Sequence, residues 1–273
     1  MFFFACEVIL ESMNTEPSDT AAACVLLIGG TDPTGGAGLA ADVQAALDHA
    51  VHPATVASMI TVQDDDAFFR FEQTPPELII EQIRCAVLQR PVKAVKTGAL
   101  GSTEAVEAVC NAMEDLGLHN IVVDPVLKST SGGGLTDDAA VGMMIKRLFP
   151  LAALITPNVS EAQTLSKVKI SSIDDARTAA AKIISTGAPG VLVKGIVDGD
   201  SVADVLVSDK GDAVFFNPLI SPPPPVRGTG CRLATAAAAT LAGGEGIRLS
   251  AARGIRYVQK ILKQHHGKET KKK

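Results

Sequence analysis

Val25-Leu26-Leu27-Ile28-Gly29-Gly30-Thr31-Asp32-Pro33-Thr34-Gly35-Gly36-Ala37-Gly38 joins an apolar run to a glycine-rich loop. The apolar run is typical of a buried parallel strand, and the apolar spacing after the loop predicts a helix. The loop lacks both the dinucleotide-binding spacing and the Gly-Lys-Ser/Thr of a Walker A loop. We therefore expect its backbone to approach a small flat ligand. Asp42, one turn into the helix, is then a hydrogen-bond acceptor for that ligand or, alternatively, a surface residue.

The alternation of strand and helix continues along the chain. Further segments are predicted at 55–60, 77–88, 94–96, 104–116, 121–123, 137–148, 154–155 and 191–193. Such alternation predicts a three-layer α/β fold, in which helices cover both faces of a mostly parallel central sheet. The later segments 204–207 and 213–216 flank a turn and predict an antiparallel hairpin. Two more helices are expected at 233–241 and 249–262.

Length and composition are those of a globular protein with a large core. The chain has 273 residues, of which 47% are apolar and 20% charged, and its net charge is −5. We expect one domain over residues 21–264, a disordered or peripheral extension over 1–20, and a polar tail over 265–273.

Several classes of partner have little support in the sequence. Apart from the terminal Lys271, Lys272 and Lys273, no basic face indicates nucleic-acid binding. The apolar segment 1–10 contains Glu7 and is too short to span a bilayer, so we expect no membrane anchor. The five cysteines are widely spaced, without a C-x-x-C pair, which argues against zinc or a disulfide framework and favours the cytoplasm.

Polar residues follow several predicted strands, at the edge where parallel sheets bind ligands. Gln63 follows the second strand, Gly98 the third, Asp124-Pro125-Val126 the fourth and Thr156-Pro157-Asn158 the fifth. Lys194 ends a later strand, where an ammonium group could meet phosphate. The alternative for Lys194 is an ordinary surface lysine.

Asp124 and Glu161 form a candidate carboxylate pair. Glu161 lies three residues after Asn158, so a helix beginning near Pro157 puts both side chains on one face of its first turn. Together with Asp124, Glu161 can hold magnesium, directly or through water, beside nucleotide phosphates. The alternative is that these residues only cap the loop and the helix start.

Arg227-Gly228-Thr229-Gly230-Cys231 follows a run of four prolines and leads into an alanine-rich segment. The small residues predict a tight turn that opens a helix. The first amides of a helix have no intrahelical partner and the helix dipole is positive there, so this turn can bind a phosphoryl group. A turn without a ligand is the alternative.

In their order along the chain, these motifs resemble those of the ribokinase-like kinases, and among them the hydroxymethylpyrimidine/phosphomethylpyrimidine kinases of thiamine biosynthesis. The resemblance covers about residues 24 to 262. It is carried by the glycine-rich stretch, Thr61-Val62-Gln63, Lys96-Thr97-Gly98-Ala99-Leu100, Val123-Asp124-Pro125-Val126, Ile155-Thr156-Pro157-Asn158 with Glu161, and Gly228-Thr229-Gly230-Cys231. A cysteine at 231, where most ribokinase-like enzymes have aspartate, resembles the pyrimidine kinases and the related vitamin B6 kinases.

The resemblance implies a homodimeric kinase that uses ATP and magnesium to phosphorylate an aminopyrimidine. The residues implied to line the aminopyrimidine pocket are Gly30, Ala37, Asp42, Gln63 and Val126. Those implied for magnesium-ATP are Asn158, Glu161 and Asp124, with Lys194 on the phosphates. Those implied for the anion hole are Gly228, Thr229, Gly230 and Cys231.

Cys231 is the expected acceptor of the substrate's hydroxymethyl proton. A helix start can lower a thiol pKa toward neutrality, so we expect a useful thiolate fraction. Adding phosphate to a monophosphate that is already ionised needs no strong base.

The chain departs from the family pattern around the expected pocket. The family usually has methionine at Ala99, histidine at Arg227, threonine at Arg232, and Asn-Thr in place of Asp64-Asp65; Lys194-Gly195-Ile196-Val197 replaces Lys-Gly-Gly-His. We hypothesise that Arg227 or Arg232 contacts a phosphate; a solvated arginine is the alternative. Pyridoxal kinase, a degenerate ligand-binding protein and a sugar or nucleoside kinase remain rival functions.

Overall fold

The computed structural model describes residues 22–128, 133–222 and 224–269, with side chains up to residue 266. The predicted extension, 1–20, lies outside the described residues, as do the last four residues of the predicted tail. The strands are β1 (Cys24–Thr31), β2 (His52–Gln63), β3 (Phe68–Gln73), β4 (Val92–Thr97), β5 (Ile121–Val123), β6 (Ala152–Ile155), β7 (Gly190–Asp198), β8 (Ser201–Ser208) and β9 (Ala213–Pro218).

The α-helices alternate with the strands over most of the chain. They are α1 (Gly38–Asp48), α2 (Pro76–Gln89), α3 (Thr103–Asp115), α4 (Asp138–Met143), α5 (Val159–Ser166), α6 (Ile173–Ile184), α7 (Thr229–Ala242) and α8 (Ile247–Glu269). Helix α4 continues as a π-helical turn, Met144–Leu148, and a short 3₁₀ turn, Phe149–Leu151. None of the helices in the described ranges combines the length and apolar character needed to cross a membrane.

The strands form a single sheet in the order β3-β2-β1-β4-β5-β6-β7-β8-β9. All neighbours from β2 to β7 are parallel, whereas β3 pairs antiparallel at one edge and β8 and β9 pair antiparallel at the other. The predicted parallel core and late hairpin are therefore confirmed. The carboxyl ends of β1, β2, β4, β5 and β6 meet at one edge of the sheet.

Strand β1 shows how the sequence builds three layers. Leu26 and Ile28 contribute to the core beneath α2, α3, α5 and α6, while Val25 and Leu27 contribute to the core beneath α1, α7 and α8. All four side chains are fully buried. Because successive side chains of a strand point to opposite faces, an unbroken apolar run is what a strand buried on both faces requires.

Two elements, β3 and α6, are absent from the predictions above, and several predicted ends are wrong. Strand β2 is longer than predicted at both ends and includes Gln63, which was expected to follow it. Every residue of β3 is half-buried or exposed, so its sequence lacks the buried alternation that marks a strand. Helix α6 buries mainly alanines, which give a weak apolar signal. Strand β7 continues past Val193 to Asp198, and α8 continues to Glu269, into the predicted polar tail.

Candidate active site

The start of α7 faces the glycine-rich loop that precedes α1. Gly228 is the N-cap of α7, with a left-handed φ of 65° and no side-chain cap. A Cβ at Gly228 would stand 2.6 Å from the carbonyl oxygen of Gly36 and 2.8 Å from the Cα of Ala37, so only glycine fits. The first amides of α7 therefore lack a capping side chain, as an anion site at a helix start requires.

Two cavities adjoin this helix start. A cleft of about 590 Å³ runs from the ends of β5 and β6 and the middle of β7 to α8, and a smaller cavity of about 70 Å³ lies beneath the glycine-rich loop. Val126, Lys128 and Cys231 line both cavities. A group in the small cavity and a group in the cleft would thus meet beside Cys231.

All predicted site residues line at least one of these cavities. The small cavity is lined by Gly30, Ala37, Asp42, Gln63, Val126 and Cys231. The cleft is lined by Asp124, Val126, Asn158, Glu161, Lys194, Gly228, Thr229, Gly230 and Cys231. The structure therefore brings together residues that are up to about two hundred positions apart in the sequence.

Asp42 is fully buried, so the alternative of a surface helix residue is wrong. Its Oδ2 is 2.7 Å from Nζ of Lys96, which is also buried, and its Oδ1 accepts a 2.8 Å hydrogen bond from Thr235. Burial lowers the pKa of Lys96, but the charges of Asp42, Cys231 and Asp124 outweigh burial and raise it. Lys96 is therefore an ammonium group in the wall of the small cavity.

Lys96 is a site residue that sequence reasoning missed. It lies inside the motif quoted for the resemblance, and a charged residue within an apolar strand is a signal for a buried partner. Its Nζ also lies close to the backbone of Gly98, since a Cβ added at Gly98 would stand 2.8 Å from this nitrogen. This places the ammonium group at the carboxyl end of β4.

The Cys231 thiol lies in the first turn of α7, near the ammonium group of Lys96. Burial raises its pKa to about 11, with Asp42 and Asp124 adding to the rise. Lys96 and a hydrogen bond from the Gly38 amide oppose the shift but do not outweigh burial. The expectation that the helix start brings this pKa toward neutrality is therefore wrong.

Asp124 and Lys194 form an ion pair in the floor of the cleft. Asp124 is 3% exposed, and its Oδ1 is 3.0 Å from Nζ of Lys194 and 3.3 Å from the hydroxyl of Thr156. The Lys194 side chain is only 12% exposed, so the alternative of a surface lysine is wrong. A Cβ on Gly230 would stand 3.3 Å from Nζ of Lys194, so the start of α7 faces this pair directly.

Lys194 lies within β7 at an irregularity, not at its end as predicted. The pairing of β7 with β8 shifts register between Val193 and Ile196, and Gly195 has a φ of 85°. The amide of Gly195 donates a 2.8 Å hydrogen bond to Asp204 of β8. Asp204 is 7% exposed, and burial raises its pKa to about 6. It is a second cleft residue that sequence reasoning missed.

Asn158 and Glu161 form a complete capping box at the start of α5. The Asn158 side chain accepts from the Glu161 amide at 2.9 Å, and the Glu161 carboxylate accepts from the Asn158 amide at 2.8 Å. The capping role considered as an alternative is therefore present. Burial, reinforced by the charge of Asp124, raises the Glu161 pKa to about 7.

The carboxylates of Asp124 and Glu161 fit a divalent cation by their chemistry. Each is buried, and the charge of Asp124 disfavours ionisation of Glu161, so a cation between them would relieve their repulsion. Within the described ranges, no group of three His, Cys, Asp or Glu side chains is arranged to hold a metal by itself. Two carboxylates suit magnesium, which takes one or two and completes its shell with water and phosphate.

Arg227 and Arg232 are tied to the protein, so the alternative of a solvated arginine is wrong for both. Arg232 donates from Nη1 to the carbonyl oxygens of Gly36 and Arg227, at 2.9 and 2.7 Å. Arg227 donates to Thr34 at 3.0 Å and to Gln63 at 2.9 Å. Both arginines therefore hold the glycine-rich loop against the start of α7.

Comparison with known proteins identifies the family. A profile of the phosphomethylpyrimidine kinase family matches residues 32–273. The chain belongs to this family. It is 35% identical over 244 residues to the thiamine biosynthesis bifunctional protein of Geobacter sulfurreducens, covering 88% of this chain and 49% of that protein. It is 34% identical over 207 residues to the hydroxymethylpyrimidine/phosphomethylpyrimidine kinase of Aquifex aeolicus, covering 76% of this chain and 81% of that protein.

The match covers very different shares of these relatives. The chain spans about half the length of the bifunctional proteins of Geobacter sulfurreducens and Arabidopsis thaliana, at 49% and 48%. The chain therefore resembles both part of the bifunctional proteins and most of the kinase of Aquifex aeolicus.

Solved structures of family members and related vitamin kinases have the same fold. The phosphomethylpyrimidine kinase of Clostridium difficile gives a TM-score of 0.77 at 30% identity and covers 88% of this chain and 99% of that one. The pyridoxal kinase of Staphylococcus aureus, solved with pyridoxal, gives a TM-score of 0.80 at 28% identity over 89% and 88% of the two chains. The Staphylococcus aureus enzyme has also been solved with ADP and with AMP-PCP. The predicted ribokinase-like fold is confirmed.

Proposed function

We propose that this chain is an ATP-dependent kinase that phosphorylates 4-amino-5-hydroxymethyl-2-methylpyrimidine and then converts the monophosphate to the diphosphate. The observation that carries the proposal is the position of Cys231. It lies at the helix start where a small cavity and a larger cleft meet, with Asp124 and Lys194 at the floor of the cleft. One cavity suits a small ring and the other a nucleotide, and membership of a kinase family supports that division.

The proposal assigns the two substrates to the two cavities. The residues assigned to the pyrimidine are Gly30, Ala37, Asp42, Gln63 and Val126. Those assigned to the nucleotide are Asn158, Glu161 and Lys194. Support for ATP comes from the nucleotide complexes of the related pyridoxal kinase.

The chemistry is the transfer of one phosphoryl group. The hydroxymethyl oxygen forms a bond to the terminal phosphorus of ATP, the bond from that phosphorus to the ADP oxygen breaks, and the hydroxyl proton passes to the Cys231 thiolate. The first amides of α7 and the ammonium group of Lys194 offset the negative charge on the transferred group. Fixed donors in a site that excludes water are the main source of catalysis for such reactions.

Asp124 and Glu161 would hold the magnesium ion that accompanies ATP. When bound, magnesium neutralises phosphate charge. Because Lys194 already pairs with Asp124 at 3.0 Å, the two cationic groups would share that carboxylate. The second phosphorylation starts from an ionised phosphate and needs no base from Cys231.

Pyridoxal kinase is the second candidate function, and the Ala99 position favours it. Ala99 lines the small cavity, and its small side chain leaves room for a different ring. A pyridoxal kinase of similar fold has been solved with pyridoxal bound. Pyridoxal and hydroxymethylpyrimidine are both flat rings with a hydroxymethyl group.

Release of ADP in a coupled assay tests the proposal. Hydroxymethylpyrimidine, its monophosphate and pyridoxal are supplied separately with magnesium-ATP, and initial rates are compared. We expect the highest kcat/KM with hydroxymethylpyrimidine or its monophosphate. A higher kcat/KM with pyridoxal would establish the second candidate instead, and no ADP release with any of the three would overturn both candidates.

A further inference from the structure

From the contacts of Arg227 we infer that this residue determines substrate specificity by fixing the orientation of the Gln63 side chain in the wall of the small cavity. The inference rests on the proposed function, because it concerns the ring that this cavity receives. Arg227 does not line either cavity, so we assign it a positioning role.

Arg227 joins its own turn to two segments that are far from it in the sequence. Its side chain is only 12% exposed. Nη2 is 2.9 Å from Oε1 of Gln63 and 3.1 Å from Oδ2 of Asp32. Nη1 is 3.0 Å from the hydroxyl of Thr34 and 3.1 Å from Oδ1 of Asp65. The guanidinium group thus links the end of β2 and the turn after it to the glycine-rich loop.

The donors and acceptors of this network have only one consistent direction. A guanidinium group can only donate hydrogen bonds, so the Gln63 atom next to Arg227 must be the amide oxygen. The Gln63 amide nitrogen then donates to the Thr61 hydroxyl at 2.9 Å. That hydroxyl donates in turn to the carbonyl oxygen of Thr31 at 2.6 Å, and a carbonyl can only accept. Both ends of this series of hydrogen bonds, at Arg227 and at Thr31, therefore keep the Gln63 amide from turning over.

This direction matters because Gln63 and Thr61 line the small cavity, as Asp42 does. A side-chain amide that turns over exchanges a donor for an acceptor. Hydroxymethylpyrimidine and pyridoxal differ in the pattern of ring nitrogens, amino groups and hydroxyl groups at their edges. A cavity wall with a fixed hydrogen-bonding direction discriminates between such rings, since a buried polar group left unpaired is costly.

Asp32 and Asp65 differ in what they contribute to this arrangement. The Asp32 side chain is buried and also accepts hydrogen bonds from the amides of Thr34 and Ala37, at 3.0 and 2.9 Å, so it organises the loop. The Asp65 side chain is 79% exposed and contacts Arg227 from the outside. Asp65 therefore offers a matched control, because its removal breaks a contact to Arg227 but leaves both partners of the Arg227–Gln63 hydrogen bond in place.

Three variants separate this role from a merely structural one. Arg227→Lys keeps a side chain that can only donate. Arg227→Gln introduces one that can donate or accept, so the Arg227 end no longer selects the Gln63 amide oxygen and only the Thr61 end still opposes a turned amide. Asp65→Asn is the control. For each, kcat/KM is measured with hydroxymethylpyrimidine and with pyridoxal, and thermal unfolding shows that the variant is folded.

We expect the ratio of the two kcat/KM values to change by about tenfold or more in Arg227→Gln, the size of one hydrogen bond, and by less than about threefold in Arg227→Lys and Asp65→Asn. A ratio unchanged in a folded and active Arg227→Gln variant overturns the inference. So does an equal change in Asp65→Asn, which would show a general loosening of the loop. Failure of the wild type to release ADP with either ring would overturn the proposed function itself and this inference with it.

Discussion

The pH dependence of the first phosphorylation tests whether Cys231 is the proton acceptor. With a pKa of about 11, roughly one thiol in 10⁴ is ionised at pH 7 and roughly one in 10² at pH 9. If the thiolate takes the hydroxymethyl proton and the thiol keeps this pKa in the complex with substrate, kcat for hydroxymethylpyrimidine rises about tenfold per pH unit over this range. The raised pKa therefore predicts about a hundredfold increase.

The monophosphate provides the internal comparison. Its phosphate is already ionised above about pH 7, so its conversion to the diphosphate does not need the thiolate and kcat stays within about threefold between pH 7 and pH 9. Replacing Cys231 by alanine lowers kcat with hydroxymethylpyrimidine and removes its rise with pH. The same replacement has a smaller effect with the monophosphate.

The assay is the release of ADP at saturating magnesium-ATP, measured in half-unit steps of pH with both substrates. Thermal unfolding at each pH confirms that the protein remains folded. Equal losses of kcat with the two substrates in Cys231→Ala would refute the division of roles. A rise retained by Cys231→Ala would refute Cys231 as the base, and a pH-independent kcat in the wild type would refute a raised thiol pKa in the complex with substrate.

Three further predictions concern groups that hold the site. Lys96→Met leaves Asp42 buried without its cation, so we expect the free energy of unfolding to fall by about 3–5 kcal/mol and the Tm by about 6–20 °C. In thermal unfolding, the double variant with Asp42→Leu should recover most of this loss. No recovery would contradict the broken ion pair as the cause. Gly228→Ala adds about 1–2 kcal/mol of backbone strain and places a Cβ 2.6 Å from a carbonyl oxygen. We therefore expect the variant to fold but to release no ADP. Normal turnover would show that the reaction does not require an undistorted anion site. The pKa of Asp204 is raised from 3.8 to about 6, so its ionised form costs about 3 kcal/mol above pH 6 and this cost disappears as pH falls toward 4. Urea unfolding of wild type should therefore gain stability relative to Asp204→Asn over that range, and parallel pH profiles would contradict this.

The positions of the site residues were largely predictable from the sequence because they depend on local patterns. An apolar run followed by Asp124 or by Thr156 marks the carboxyl end of a buried strand, and such ends share one edge of a parallel sheet. The helix start at Gly228 is equally local, since it depends on a small residue with a left-handed φ. These signals need no knowledge of the distant chain.

The electrostatic state of the site could not be predicted from local patterns. Lys96 and Asp42 are 54 positions apart, and only the folded sheet brings them to 2.7 Å. The pKa of the Cys231 thiol likewise depends on residues that only the fold brings near it. A helix start favours its thiolate, but the surrounding protein removes water and adds the charges of Asp42 and Asp124, and these effects win. Helix position alone therefore gave the wrong direction for the pKa.

The glycine-rich loop and the start of α7 act as one structural unit, although about 190 residues separate them. Gly228 fits directly beneath Gly36, and the Arg232 side chain binds the carbonyl oxygen of Gly36 at 2.9 Å. Arg227 then reaches from the same turn to Thr34 and to Gln63. The loop covers the small cavity, and the helix start forms the anion site. Because the same contacts hold both, the ring and the phosphoryl group are positioned by a single rigid junction, and a change in either motif displaces one substrate relative to the other.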